Sequence, residues 1–376
     1  MRVLHTSDWH LGRSFHRESL LGAQAAFVDH LIETVVSERV DVVVVAGDVY
    51  DRALPPVDAV ALCNEALRRL TDARVRTVLI SGNHDSAQRL GFGADLIDAA
   101  GVHLRTSPAQ VGAPVLVGDL AVYPIPYLEP DLVKGPWELE RRGHAQALGH
   151  AMDLIRRDLA RRRPAKSLVL AHAFVTGGQG SESERDISVG GVAHVPMSVF
   201  DSVDYVALGH LHGRQRMSDR VRYSGSPIAY SFSEIGQRKG SWLVDLDGTE
   251  PAAEFADAPV PRPIGRLTGR LDDLLTGPEH AAWENHWLQV TLTDPVRPKA
   301  AMDRLKTRFP HTLALSFAPE GGREGTGSWT ERLKGRSDVE VAMDFVREVR
   351  GEEADAEEAK LIREAFEASR IRGAGV

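Results

Sequence analysis

The chain of 376 residues contains one cysteine, Cys63, which excludes an internal disulfide and fits a reducing cytoplasm. It lies in Leu62-Cys63-Asn64-Glu65-Ala66-Leu67, where a helix and a buried structural thiol are expected. Long apolar runs are missing as well. None approaches the roughly 18 residues of a membrane span, so no membrane association is expected. There is no surplus of positive charge, since the formal net charge is −8. Contact with nucleic acid would then rest on local basic clusters and bound cations, not on a global field. The densest cluster, Arg156-Arg157-Asp158-Leu159-Ala160-Arg161-Arg162-Arg163, reads either as a solvated helix end or as a DNA contact. Internal repeats and low-complexity tracts are absent. The start, Met1-Arg2-Val3-Leu4-His5-Thr6-Ser7-Asp8, is not that of a signal peptide, and a cytoplasmic location is expected.

What the chain does have is a series of short apolar runs, each leading into a polar motif. Arg2–His5, Val40–Ala46, Thr77–Ile80, Leu168–Leu170 and Val203–Leu208 suit buried strands of a mainly parallel sheet. They are followed by Asp8-x-His10, Gly47-Asp48, Gly82-Asn83-His84-Asp85, Ala171-His172 and Gly209-His210-Leu211-His212. A side chain just past each strand falls on the carboxyl edge of the sheet, where open α/β sheets build their sites. Alone, Asp-x-His or Gly-Asp is an ordinary loop sequence, and a single Gly-His is usually structural. All five in order, each behind a strand, point to one cleft lined by Asp8, His10, Asp48, Asn83, His172, His210 and His212.

Those residue types suit the hydrolysis of a phosphate ester. The reaction needs an activated water, neutralised phosphoryl oxygens and help for the leaving oxygen, and two divalent ions can supply all three. Two ions require about eight protein positions if each takes four. Seven residues with one bridging carboxylate meet that count. Asp48 is the natural bridge, with Asp8, His10 and His212 completing one site and Asn83, His172 and His210 the other. Imidazole and carboxylate ligands without thiolate fit Mn²⁺, Fe²⁺ or Zn²⁺, with Mn²⁺ preferred here. His84 is expected to point across the cleft without binding metal, as the catalytic residue that helps the leaving oxygen. Asp85 is expected behind it, fixing the orientation of a ligand or histidine.

Helices are expected at Ala23–Ser37, Pro56–Leu70 and His144–Arg163, and a long loop at Thr176–Gly191. The proline-rich stretch 250–265 reads as a linker or edge segment. A small α+β unit should follow, with strands Trp287–Leu292 and His311–Phe317 around a helix at Pro298–Phe309. Gly321–Ser328 reads as a joint. Two helices, Val339–Arg350 and Glu357–Arg370, should be broken at Gly351. Val341, Phe345 and Val349 share one face of the first, and Leu361, Ala365 and Phe366 line the second. Such stripes either dock a partner or pack back on the chain.

The order of the five motifs resembles that of the calcineurin-like metallophosphoesterase superfamily. Within it the chain is similar to the SbcD family, the nuclease subunits of bacterial SbcCD complexes. That narrower resemblance rests on Thr6-Ser7-Asp8-Trp9-His10-Leu11-Gly12, Ala46-Gly47-Asp48-Val49-Tyr50-Asp51, Ser181-Glu182-Ser183-Glu184-Arg185, Tyr223-Ser224-Gly225-Ser226-Pro227-Ile228 and Val349-Arg350-Gly351-Glu352-Glu353. It implies an α/β fold, a four-layer αββα sandwich followed by a small α+β capping domain and a C-terminal helical tail. The implied divisions are 1–250 for the nuclease domain, 255–325 for the capping domain and 336–376 for the tail. It also implies a Mn²⁺-dependent 3′-to-5′ exonuclease and hairpin-opening endonuclease acting on double-stranded DNA in repair and recombination. Such a subunit works as a homodimer within a heterotetramer with an SbcC-type coiled-coil ATPase, which the tail would dock through Phe345 and Phe366. The dimer would use helices after Asp48 and Asp85, with Leu62, Leu67, Leu90 and Leu96 as candidates, although ordinary core explains them equally. Asp51 stands where archaeal and eukaryotic relatives carry a histidine, so their balance of activities does not transfer. The rival readings are a small-molecule phosphatase or cyclic-nucleotide phosphodiesterase on the same fold, and a silent interaction module.

Overall fold

The computed structural model describes residues 1–188, 194–320, 336–350 and 352–373. The chain divides into two units, Met1–Ala318 and Pro319–Val376.

The first unit is built on two six-stranded sheets. In the first, β1 (Arg2–Thr6), β2 (Val42–Val45), β3 (Arg76–Ile80) and β4 (Val102–Arg105) run parallel. In the second, β6 (Leu120–Ile125), β7 (Lys166–His172), β8 (Tyr205–Gly209) and β10 (Val221–Tyr223) do the same. Antiparallel edge strands complete both. In the second sheet these are β5 (Val115–Val117) and β9 (Gln215–Arg216). In the first, β11 (Gly240–Asp245) pairs with β1, and β12 (Ala252–Asp257) pairs with β11. The five apolar runs are thus shared between two sheets, three to one and two to the other. Ala252–Asp257, inside the proline-rich stretch, is an edge strand.

The four valines of β2 show why the sheets stack. Successive side chains leave a strand on opposite faces, and all four are buried. Val42 and Val44 meet Leu168, Leu170 and Tyr205 of the other sheet. Val43 and Val45 face helices α1 (Leu21–Ser37) and α2 (Val57–Asp72). Those helices bury Phe27, Val28, Leu31 and Val35, and Ala59, Cys63, Ala66 and Leu70, at three- and four-residue spacing. On the far side, α3 (His144–Arg162) lays Ala147, Ala151 and Ile155 on the second sheet. The result is an α/β sandwich of four layers. Cys63 is buried, and burial pushes its thiol up to about 11, in keeping with a structural role.

The basic cluster at the end of α3 is largely spent within the protein. Arg162 hydrogen-bonds the buried Asp158 at 2.8 Å, Arg161 pairs with the same carboxylate, and Tyr123 donates to it at 3.0 Å. These contacts hold Asp158 down to about 2. Arg156 pairs with Asp153 at 2.8 Å.

A smaller parallel sheet follows: β13 (Ile264–Gly269), β14 (Trp287–Leu292) and β15 (Thr312–Phe317). Helices α4 (Leu271–Thr276) and α5 (Ala301–Arg308) cover it through Leu271, Leu274, Leu305 and nearby Phe309. Helix α5 starts three residues later than its periodicity suggests. Pro295 and Pro298 disfavour helical backbone in the residues before them, and Ala300 sits at φ 48°. Trp287 and Ile264 of this sheet pack on Phe15, Tyr230 and Phe232 of the sandwich.

In the second unit, α6 (Asp338–Arg350) and α7 (Ala356–Gly373) pack together, with Arg350 donating to Glu358 at 2.9 Å. Phe345 is 57% exposed, Val349 and Leu361 are exposed, and Phe366 is half-buried. The joint Gly321–Ser328 and the break at Gly351 lie outside the described residues.

Candidate metal centre

All seven side chains named from the sequence meet where the two sheets present their carboxyl ends. Asp8 and His10 follow β1, Asp48 follows β2 and Asn83 follows β3; His172 ends β7, and His210 and His212 follow β8. The local backbone is shaped for this. Asp8, His10, Asp48 and His210 have φ of 53°, 43°, 51° and 103°, which side-chain-bearing residues hold only where surroundings enforce it. Two glycines show the crowding. A Cβ on Gly82 would lie 2.1 Å from Asp48 Oδ1, and one on Gly209 would lie 1.9 Å from the Ala46 carbonyl. The Gly in Gly-Asn-His-Asp and in Gly-His-Leu-His is therefore a packing requirement.

Three overlapping groups of side chains bring their donor atoms within 4.8 Å of one another: Asp8–His10–His212, Asp8–Asp48–His172 and His10–Asp48–His84. Asp48 Oδ2 sits 3.5 Å from His10 Nε2 and 3.5 Å from His172 Nε2. Asn83 Oδ1 lies 2.9 Å from His172 Nε2 and 3.2 Å from His210 Nδ1. Asp8 is aimed by the Ser7 hydroxyl at 2.5 Å and by the His210 backbone N–H at 3.0 Å.

The donor set fits divalent cations. His172 Nδ1–H donates to the Ala46 carbonyl at 2.8 Å, so Nε2 turns a lone pair toward the lone pairs of Asn83 Oδ1. The Asn83 amide nitrogen and His10 Nδ1 are buried and find no hydrogen-bond partner among the described residues. Two acceptors facing each other across a buried gap repel, and a dication between them reverses the sign. Burial and charge act in the same direction. Burial and the Asp48 charge push Asp8 well above the carboxylate range. Burial holds His10 and His210 well below the imidazole range and lowers His172. Neutral imidazoles, the form that binds metal, are thus favoured at His10, His172 and His210.

His84 stands beside the cluster with its ring held from one side. Its Nδ1–H donates to the Asp51 carbonyl at 2.8 Å, its ring packs edge-on against His10 at 4.6 Å, and its Nε2 is 4.0 Å from Asp48 Oδ2. Asp85, among the described residues, hydrogen-bonds the main chain of the ligand-bearing loops and not a side chain. It accepts backbone N–H groups from Val49 at 3.1 Å, Tyr50 at 2.9 Å and Gly82 at 2.8 Å, tying the Asp48 and Asn83 loops together. Burial and the nearby Asp48 charge raise it to about 7.

Several groups behind the cluster were given no role from the sequence, although Ser183 and Glu184 lie in the Ser181–Arg185 stretch that carries the resemblance. Ser183 Oγ lies 2.5 Å from His212 Nδ1 and donates to Glu234, whose other oxygen pairs with Lys239. Glu184 accepts the His212 backbone N–H at 2.8 Å. Burial works against a charged Glu234, but the His212 and Lys239 contacts outweigh it and hold the carboxyl well below its usual range. Phe345 and Phe366 belong to the second unit.

The calcineurin-like phosphoesterase family model matches residues 1–214. A second model, SbcD_C, described as the type 5 capsule protein repressor C-terminal domain, matches residues 260–350. Similar solved structures include TT1561 of Thermus thermophilus, with TM-score 0.40, 13% identity and coverage of 68% of this chain and 98% of that one. A dimetal phosphatase from Danio rerio aligns with TM-score 0.40 and 13% identity, covering 68% and 98%. GAP50, the anchor in the inner membrane complex of Plasmodium, aligns with TM-score 0.42 and 13% identity, covering 86% and 99%. No helix among the described residues is long and apolar enough to cross a membrane. Matched over more than half its length, through every one of the seven clustered side chains, the chain belongs to the calcineurin-like phosphoesterase family.

Proposed function

We propose that the protein is the nuclease subunit of an ATP-regulated DNA repair and recombination complex, cutting double-stranded DNA with Mn²⁺ as a 3′-to-5′ exonuclease and a hairpin-opening endonuclease. The observation that carries this reading is the coexistence, on one chain, of the phosphoesterase site and the SbcD_C match over residues 260–350. A phosphatase of small molecules has no evident use for that second segment.

Asp48 would bridge two ions, with Asp8, His10 and His212 holding one and Asn83, His172 and His210 the other. Its Oδ2, equally far from His10 and His172, suits that position. Bound there, two divalent ions acidify water and neutralise phosphoryl oxygens. His84 would be the catalytic residue. With Nδ1–H committed to the Asp51 carbonyl, the ring turns Nε2 to the cleft, the atom that accepts a proton in the neutral ring and that in the doubly protonated ring would give one to a leaving oxygen. Asp85 keeps the Asp48 and Asn83 loops in register.

The tail would dock an SbcC-type coiled-coil ATPase through Phe345 and Phe366. Phe345, a large aromatic 57% exposed on α6, favours a partner. A homodimer within a heterotetramer would use the surface around α2 and the segment after Asp85. Leu90 is buried and Leu62 and Leu67 are half-buried, so they serve the core; Val57, Phe92 and Leu96 are 82%, 88% and 84% exposed.

The test is cleavage of a hairpin-ended duplex with Mn²⁺, with and without the co-expressed ATPase, comparing wild type with His84→Gln. Cutting by the wild type alone supports both nuclease and site. No cutting, together with hydrolysis of a small phosphodiester, would move the function to the small-substrate phosphodiesterases.

A further inference from the structure

We infer that Ser183 and Glu234 are positioning residues that fix the tautomer and aim of His212, an inference that rests on the two-ion reading above. A serine hydroxyl has one proton to give. Ser183 gives it to Glu234 Oε1, so toward His212 it is an acceptor, and His212 Nδ1–H donates to it across 2.5 Å. That leaves the lone pair on His212 Nε2, the atom 3.0 Å from His10 Nε2 inside the cluster. All three side chains are buried, so water cannot take over the task.

The far end of the relay is anchored twice. Lys239 pairs with Glu234 Oε2 and also donates to the His212 carbonyl and to Ser226 Oγ, both at 2.9 Å. One ammonium therefore ties the carboxylate to the backbone of the histidine it orients. The loop carrying Glu234 also holds Tyr230 and Phe232, on which Trp287 of the small sheet rests. Histidines are oriented differently elsewhere in the cluster. Backbone carbonyls orient His172 and His84, whereas His212 depends on side chains. Substitution can therefore release it without altering the main chain. Outer partners of metal-binding histidines are typically worth 10–100-fold in affinity.

The experiment is equilibrium Mn²⁺ binding to the full chain, followed by the electron-paramagnetic-resonance signal of free Mn²⁺, with no substrate present. Wild type should show two classes of site. Ser183→Ala should weaken one class by roughly 10–100-fold and leave the other within about twofold, and Ser183→Thr, which restores the hydroxyl, should recover most of the loss. The double variant Glu234→Gln/Lys239→Met removes the buried charges together and should weaken the same class, which guards against a misfolded Ser183→Ala. Two classes that Ser183→Ala leaves unmoved, or weakens equally, would overturn the relay alone. A wild type with fewer than two classes would overturn the two-ion reading beneath it.

Discussion

His5 gives the structure a measurable acid sensitivity that is separate from the metal cluster. It lies between the sheets, fully buried, where its Nε2–H donates to the Leu208 carbonyl at 3.1 Å and the Tyr205 hydroxyl donates to its Nδ1 at 3.1 Å. A second ring proton would reverse the Tyr205 contact, turning the hydroxyl's own hydrogen away from the ring it now serves. Burial, aided by the nearby Arg222 charge and only partly offset by the Leu208 carbonyl, lowers the ring from 6.5 to about 3. The unfolded chain thus binds a proton that the folded chain refuses between those two values. Stability is whole above pH 6.5 and is lost as pH falls toward 3. At pH 4.5 the difference spans two units, or roughly 3 kcal/mol at about 1.4 kcal/mol per unit. His5→Gln keeps a donor and an acceptor but cannot titrate. Urea unfolding at pH 7.5 and 4.5 should show the variant gaining about 2–3 kcal/mol on the wild type over that interval. Every other titrating group is common to both proteins and cancels. Parallel stability profiles would refute the reasoning.

Three further outcomes follow from the geometry. His84→Gln should lower single-turnover cleavage on the order of 10²-fold or more while Mn²⁺ affinity stays near wild type; unchanged turnover removes His84 from the chemistry. Gly82→Ala would drive a Cβ to 2.1 Å from Asp48 Oδ1, so Mn²⁺ binding should weaken roughly 10–100-fold by titration, and an unaltered isotherm would show that the loop yields. Phe345→Asp or Phe366→Asp should weaken binding to the proposed coiled-coil ATPase by about 2 kcal/mol or more, read by co-purification, and spare cleavage of a small phosphodiester; full assembly would reject those docking residues.

The cluster was legible because its residues lie two to five positions past the short apolar runs, and strand ends at a sheet's carboxyl edge have few other uses for Asp, Asn and His. The helices α1, α2 and α3 were legible within a few residues from apolar spacing. The partition into two sheets did not follow from periodicity. Val42–Val45 and Leu168–Leu170 are equally apolar, and nothing in either run says which neighbour it will face; only the motif resemblance supplied two sheets. Ala252–Asp257 hid among prolines because an edge strand needs pairing on one side only. Asp85 looked like a histidine's partner by adjacency, yet its three bonds go to main-chain amides, which leave no mark in a sequence. Ser183, Glu234 and Lys239 were invisible as a group because they meet only once β8 and the loop before β11 have been folded onto each other.

The pairing of β1 with β11 has a consequence for how the protein is made. Arg2–Thr6 leaves the ribosome well before its antiparallel neighbour, Gly240–Asp245, which is synthesised some 240 residues later. Throughout that interval the strand that delivers Asp8 and His10 has β2 on one side and an open edge on the other. Such an edge is a template for any stray strand, and contacts so distant in sequence form slowly. A fragment ending at residue 239 would contain every ligand and the whole Ser183–Glu234–Lys239 relay, yet leave that edge bare. Nascent-chain binding by a chaperone during this interval, ending once residue 245 has emerged, is what this topology asks of the cell.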